Sequence, residues 1–157
     1  MLVLATLLAA VAEPAPGAVE EPVAPYEMSD ANAGATPYAR DLYLQEFGGS
    51  AGMARIVDRF IALNTADPRI GDIFKGHDLT RLRRVLAEQF CYLLGGGCSY
   101  SGRSMAASHK DLGLQTADFN ALVENLQSAM RAEGIGFRAQ NKLLAKLAPM
   151  KRAVVER

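Results

Sequence analysis

The chain has 157 residues, half of them apolar, which is the size of one domain with a core of ordinary volume plus a tail. Lys and Arg number 17, as do Asp and Glu, so the formal charge is zero and electrostatics give no reason to expect nucleic acid or an anionic membrane surface as a partner. There is no Trp, and only two histidines occur, His77 and His109, so any imidazole chemistry must use one or both.

Met1 to Ala12 is an apolar run ending in Ala10-Val11-Ala12, the small-x-small pattern of a secretory cleavage site, although no Lys or Arg precedes it. It is too short to span a bilayer as a helix, and no Cys follows to carry a lipid. The expectation is an exported, periplasmic protein without a stable membrane anchor; a cytoplasmic protein is the alternative. Residues 13–40 read as a flexible linker. Pro14, Pro16, Pro22, Pro25 and Pro37 forbid a continuous helix there, and large apolar side chains are few.

From residue 41 to residue 157 the pattern is helical. Ser50 can cap a first long helix whose Met53, Ile56, Val57, Phe60 and Leu63 share one face. Asp67-Pro68 ends it and starts a short turn that closes at Phe74. Asp78 can cap a second long helix with Leu79, Leu82, Val85, Leu86 and Phe90 on its apolar side, and Gly95-Gly96-Gly97 stops it. A loop with Tyr100 and Gly102 leads to a short helical segment, Ser104 to His109. Thr116 can cap a third long helix striped by Phe119, Leu122, Val123, Leu126 and Met130. A last helix from Phe137 to Val155 turns Leu143, Leu144 and Leu147 inward, and Pro149 should kink or divide it. Periodicity therefore defines an all-α domain. It leaves open whether that domain binds a partner, regulates, or carries a cofactor.

Taken alone, His109, one turn after Met105, reads as a packed or half-exposed histidine. The ordered series around it says more. Leu42-Tyr43 with Phe47-Gly48-Gly49, Ala66-Asp67-Pro68 with Phe74, Gly95-Gly96 with Tyr100-x-Gly102, Met105-x-x-x-His109-x-x-Leu112-Gly113, and Phe119 with the stripe to Met130 together resemble the truncated haemoglobins of the first group over residues 42–157. The resemblance implies a two-over-two helical sandwich around protohaem (haem b). It implies His109 as the proximal iron ligand and Phe74 as the aromatic stacked on the haem face. Met105, Leu112 and Phe119 would line the proximal side, and for them an ordinary core role is equally consistent. Tyr100, and one of Arg83 and Arg84, are candidates to meet the anionic haem propionates.

On the opposite side the chain departs from the family. Ile61 stands where a Tyr is common, and Leu82 and Leu86 stand where Gln or another polar residue is frequent. Val85 stands where some relatives carry a second haem-ligating His. The expectation is an apolar distal wall, fast oxygen release and easy oxidation of the iron; Gln89 or Tyr92 could swing in, but their spacing does not place them there. His77 reads as an exposed loop histidine, with approach to a haem edge or a sixth-ligand role as the alternative.

Cys91 and Cys98 are not in C-x-x-C spacing, and two cysteines cannot complete a structural zinc site. The glycine turn between them can bring them together, and export would favour a disulfide. Otherwise Cys91 is a small core residue and Cys98 a loop thiol. The expected function is a haem globin that binds oxygen, nitric oxide and carbon monoxide at a five-coordinate iron. The alternatives are a haem-free helical interaction module, and a nitric-oxide dioxygenase or redox enzyme. The last needs an external electron donor, because no flavin or nicotinamide motif is present. A peroxidase reading lacks the usual distal acid–base pair.

Overall fold

Helix starts follow local capping chemistry. In the computed structural model, which describes residues 19–39 and 42–156, α1 (Leu42–Glu46) and α2 (Gly49–Ala66) meet at a tight corner. Gly48, with φ +79°, is the residue before α2, so the corner is made by glycine rather than by the expected Ser50 cap. The Asp78 side chain accepts from Arg81 N–H and starts α3 (Leu79–Leu93), as expected. Ser104 does the same for α4 (Met105–His109) through Ala107 N–H. For α5 (Thr116–Ala132) the cap is Gln115 rather than Thr116: the Asp118 carboxylate accepts from Gln115 N–H at 2.9 Å, which places Thr116 inside the first turn. Pro149 divides the last helix, as its missing N–H requires: α6 (Phe137–Leu147) ends in a 3-10 turn, Ala148–Met150, before α7 (Lys151–Val154). The described residues contain no strand.

The apolar stripes meet as their spacing requires. α2 crosses both α3 and α5, and α3 also touches α6, the arrangement of a two-over-two globin. Met53, Ile56 and Val57 of α2 pack with Phe90 of α3, Leu126 and Met130 of α5, and Leu143 of α6. Each is essentially inaccessible, and each such side chain contributes roughly 1.5–3 kcal/mol by leaving water. Phe60 and Phe90 meet with ring centroids 6.4 Å apart.

One small residue is indispensable to the corner. A Cβ on Gly52 would strike the backbone carbonyl of Phe47, which cannot move aside as a flexible side chain could. Gly52→Ala is expected to destabilise the domain by about 3 kcal/mol. Urea unfolding followed by circular dichroism checks this; an unchanged midpoint would refute the close approach.

The expected flexible linker is corrected by the structure. The signal-like segment 1–12 and residues 13–18 lie outside the described residues, but residues 19–39 lie along the helical domain as a strap. Proline keeps it from being helical, as expected; polar side chains and backbone groups then dock it. The Tyr26 hydroxyl donates to the Ser101 carbonyl at 2.6 Å, and the Asp30 carboxylate accepts from Tyr100 N–H at 2.7 Å. The 3-10 turn Asp30–Ala33 buries Ala33 completely. Tyr38 N–H donates to the Leu93 carbonyl at 3.0 Å, and the Tyr38 ring meets Tyr43 edge-on. Among the described residues no helix is long and apolar enough to cross a membrane.

Candidate functional site

Between the layers lies a cavity of about 600 Å³, walled by α2, α3, α4, α5 and the strap. That volume is in the range of sites for small molecules and cofactors. His109 reaches it from the last residue of α4 and is half-buried. Its Nδ1 lies 2.7 Å from the Met105 carbonyl oxygen. A carbonyl can only accept, so Nδ1 carries the proton and Nε2 keeps a lone pair. This is the orientation that a neutral imidazole needs to act as a metal ligand, with its other nitrogen anchored by backbone.

Most of the expected site residues converge on this cavity. Phe74, Leu82, Leu86 and Tyr100 line it, and so do Met105, Leu112 and Phe119. Val85 joins the α3 wall. His77 is exposed in its loop and stands at the cavity's edge. Ile61 is different. It is buried in the interhelical core and does not line the cavity; its neighbour Phe60 does. Successive residues on a helix point about 100° apart, so the two side chains serve different surroundings.

The charged lining side chains include Glu21 from the strap, Asp78 and Arg81 from the start of α3, and Arg103 and Lys110 flanking α4. Of the expected propionate partners, neither arginine lines the cavity. Arg83 pairs with Asp58 on the surface. Arg84 is tied to Glu20 at 2.5 and 2.9 Å and to Glu88 at 2.9 Å, and it does not line the cavity. The Arg84 hydrogen bonds hold the Glu20 carboxyl below its ordinary range. Burial works to raise the Glu88 carboxyl, but hydrogen bonds from Ser101 and Arg84 outweigh it and leave it lowered. Tyr100 lines the cavity with its hydroxyl donated to the Arg103 carbonyl at 3.0 Å, and burial pushes its phenol up to about 12.

Several lining groups were not expected. Pro22, Val23 and Tyr26 bring the strap across the mouth, where the Arg103 guanidinium sits 5.1 Å from the Tyr26 ring centre. Asn64 places an amide on the α2 wall. Gln89 lines the cavity too, but its amide donates to the Ala33 carbonyl at 2.9 Å. Tyr92 is not part of the lining. A polar residue on an apolar stripe, as Asn64 is at i+4 from Phe60, was the available signal for the first of these amides. Cys91 and Cys98 form a disulfide, with Cα atoms 5.8 Å apart, joining the last turn of α3 to the loop that carries Tyr100.

The residues present fit a flat, largely apolar cofactor with anionic edges. His109 brings an imidazole nitrogen to the cavity, whose walls are aliphatic and aromatic and whose lining includes the cationic Arg81, Arg103 and Lys110. Crossed helices around such a cavity define a globin of the two-over-two class. A model of the bacterial-like globins matches residues 42–156. The group 1 truncated haemoglobin of Tetrahymena thermophila is 32% identical over 91 residues, covering 58% of this chain and 75% of that protein. That of Nostoc commune is 26% identical over 110 residues, covering 70% and 93%. The solved Fe(III) form of Tetrahymena pyriformis truncated haemoglobin superposes with a TM-score of 0.70 at 25% identity, covering 73% of this chain and 98% of that one. The chain belongs to the bacterial-like globin family and, within it, groups with the truncated haemoglobins of group 1.

Proposed function

We propose that the protein holds haem b in this cavity, with His109 Nε2 as the proximal ligand, and reversibly binds oxygen, nitric oxide and carbon monoxide. The observation that carries this reading is the His109 imidazole, locked through Nδ1 to the Met105 carbonyl while it faces the cavity. When bound, the haem would supply a five-coordinate ferrous iron able to take up a diatomic ligand.

The chain's own residues do the rest. Met105 orients the imidazole and fixes its tautomer. Phe74 offers a ring for stacking, and Leu82, Val85 and Leu86 keep water from the α3 side. Arg81, Arg103 and Lys110 are the cationic side chains of the lining that would meet anionic carboxylates. Dioxygenation of nitric oxide would additionally require an electron donor outside this chain. Export to an oxidising compartment is part of the proposal, supported by the Cys91–Cys98 disulfide and the signal-like segment.

Titration of the purified apoprotein with hemin tests the reading. A Soret band saturating at one haem per chain is expected, shifting on reduction under carbon monoxide. Absence of saturable hemin binding would leave the haem-free interaction module as the better account.

A further inference from the structure

The α2 wall of the cavity carries one buried amide. Asn64 is only 1% exposed, yet it lines the cavity. Its orientation follows from a chain of hydrogen bonds. Asn125 Nδ2 lies 3.0 Å from Asp67 Oδ2 and 3.0 Å from Asn64 Oδ1. A carboxylate only accepts, so Asn125 must turn its NH₂ group toward Asp67. Asn64 must then turn its carbonyl toward Asn125 and its own NH₂ group away. Arg69 bonds the Asp67 carboxylate at 2.8 Å and, with Asn125, holds it well below the usual carboxylate range, so the anchor is ionised at neutral pH.

Among the described residues, no side-chain or backbone acceptor takes the Asn64 N–H groups. The NH₂ group is not sealed in protein either, since Arg81 Nε is the one wholly buried side-chain nitrogen or oxygen without a hydrogen-bond partner among the described residues, so this donor is left to whatever fills the cavity. Here the cavity is what the side chain borders. On the α3 side Leu82, Val85 and Leu86 are apolar, the Gln89 amide is committed to Ala33 and to the Met105 sulfur at 3.3 Å, and the Arg81 guanidinium, in the first turn, is held by the Glu21 carbonyl, by Glu20 at 3.5 Å and by Asp78 at 3.8 Å.

We propose that Asn64 is the hydrogen-bond donor this cavity presents to a polar diatomic ligand, with Asn125 and Asp67 as positioning residues. The inference rests on the haem-globin reading and adds a donor that the expected apolar wall of Ile61, Leu82 and Leu86 does not provide. The ligand it favours is one that carries partial negative charge when bound, dioxygen in preference to carbon monoxide.

The experiment compares wild type, Asn64→Val and Asn125→Ala, each loaded with hemin and reduced. The Soret band reports the haem site separately from the donor. Asn64→Val is expected to raise the dioxygen dissociation rate about tenfold while the carbon monoxide rate stays within about twofold, the contrast expected of one lost hydrogen bond. The infrared stretch of bound carbon monoxide should move to higher wavenumber, because a positive dipole no longer faces it. Wild-type dioxygen dissociation and an unmoved stretch in a folded, haem-loaded Asn64→Val protein would overturn the proposal. If Asn64→Val fails to fold by circular dichroism, Asn125→Ala decides. It keeps the amide but frees it to rotate, and about a threefold rise in dioxygen dissociation with a broadened carbon monoxide band is expected. No change in either would overturn the proposal. If the wild-type protein itself gives no Soret band, the haem reading falls, and this inference with it.

Discussion

Replacing His109 with glycine is expected to lower hemin affinity about 100-fold or more, and added imidazole should restore the Soret band of the wild type. The two histidines are not equivalent. His109 is half-buried against the cavity, with its Nδ1 proton spent on Met105 at 2.7 Å. His77 is exposed in the loop before α3. The glycine substitution removes the ligand and leaves room for its replacement by a free imidazole, so rescue separates lost ligation from lost folding. The His77→Ala protein should bind hemin with unchanged ferric and ferrous bands. Unaltered hemin affinity in His109→Gly, or loss of the bands in His77→Ala alone, would assign the ligand wrongly here.

The second large effect concerns the strap. A protein lacking residues 1–27 is expected to lose hemin to an excess of a tighter acceptor about tenfold faster than the full chain, because Pro22, Val23 and Tyr26 form part of the cavity wall. Glu20→Gln, which weakens one partly exposed latch, should give no more than about a threefold increase, and less at high salt. The sign of its pH dependence follows from the lowered Glu20 carboxyl. The latch contributes fully above the ordinary value of 4.5 and is lost as pH falls through the lowered folded value. Hydrogen exchange of the strap amides in the apoprotein, compared at neutral and acid pH, isolates this from any effect on iron ligation. Equal hemin loss with and without the strap would show that it is only a tether.

The helical scaffold was legible because burial writes a period into the chain. Every stripe from Met53 to Leu143 points where its spacing indicates. Caps were legible when a side chain does the capping, as at Asp78, and not when backbone geometry does, as at Gly48. The cavity was legible through family motifs at His109 and Phe74, but two features of the α2 wall were not. Ile61 and Phe60 are adjacent on one apolar face, and only packing decides which meets the cavity. Asn64 was visible as a polar residue on that face, but its function depends on Asn125 and Asp67, and Asn125 lies 61 residues away. The strap escaped notice for a similar reason. Its attachments are single polar contacts to distant partners, with no periodic signature, so low hydrophobicity looked like lack of structure.

That strap also reverses the usual relation between synthesis and assembly. It is made before any of the surfaces it docks on. Its partners Asp78, Arg84, Ser101 and Arg103 lie 57, 64, 75 and 79 residues downstream of the strap groups they hold. Contacts that distant cannot form until most of the helical domain has emerged, and long loops close late. The strap is therefore made ahead of its docking surface and can settle only after it. A chain whose helices pack before the strap docks would leave the cavity mouth uncovered for a time, a route inward for a flat cofactor.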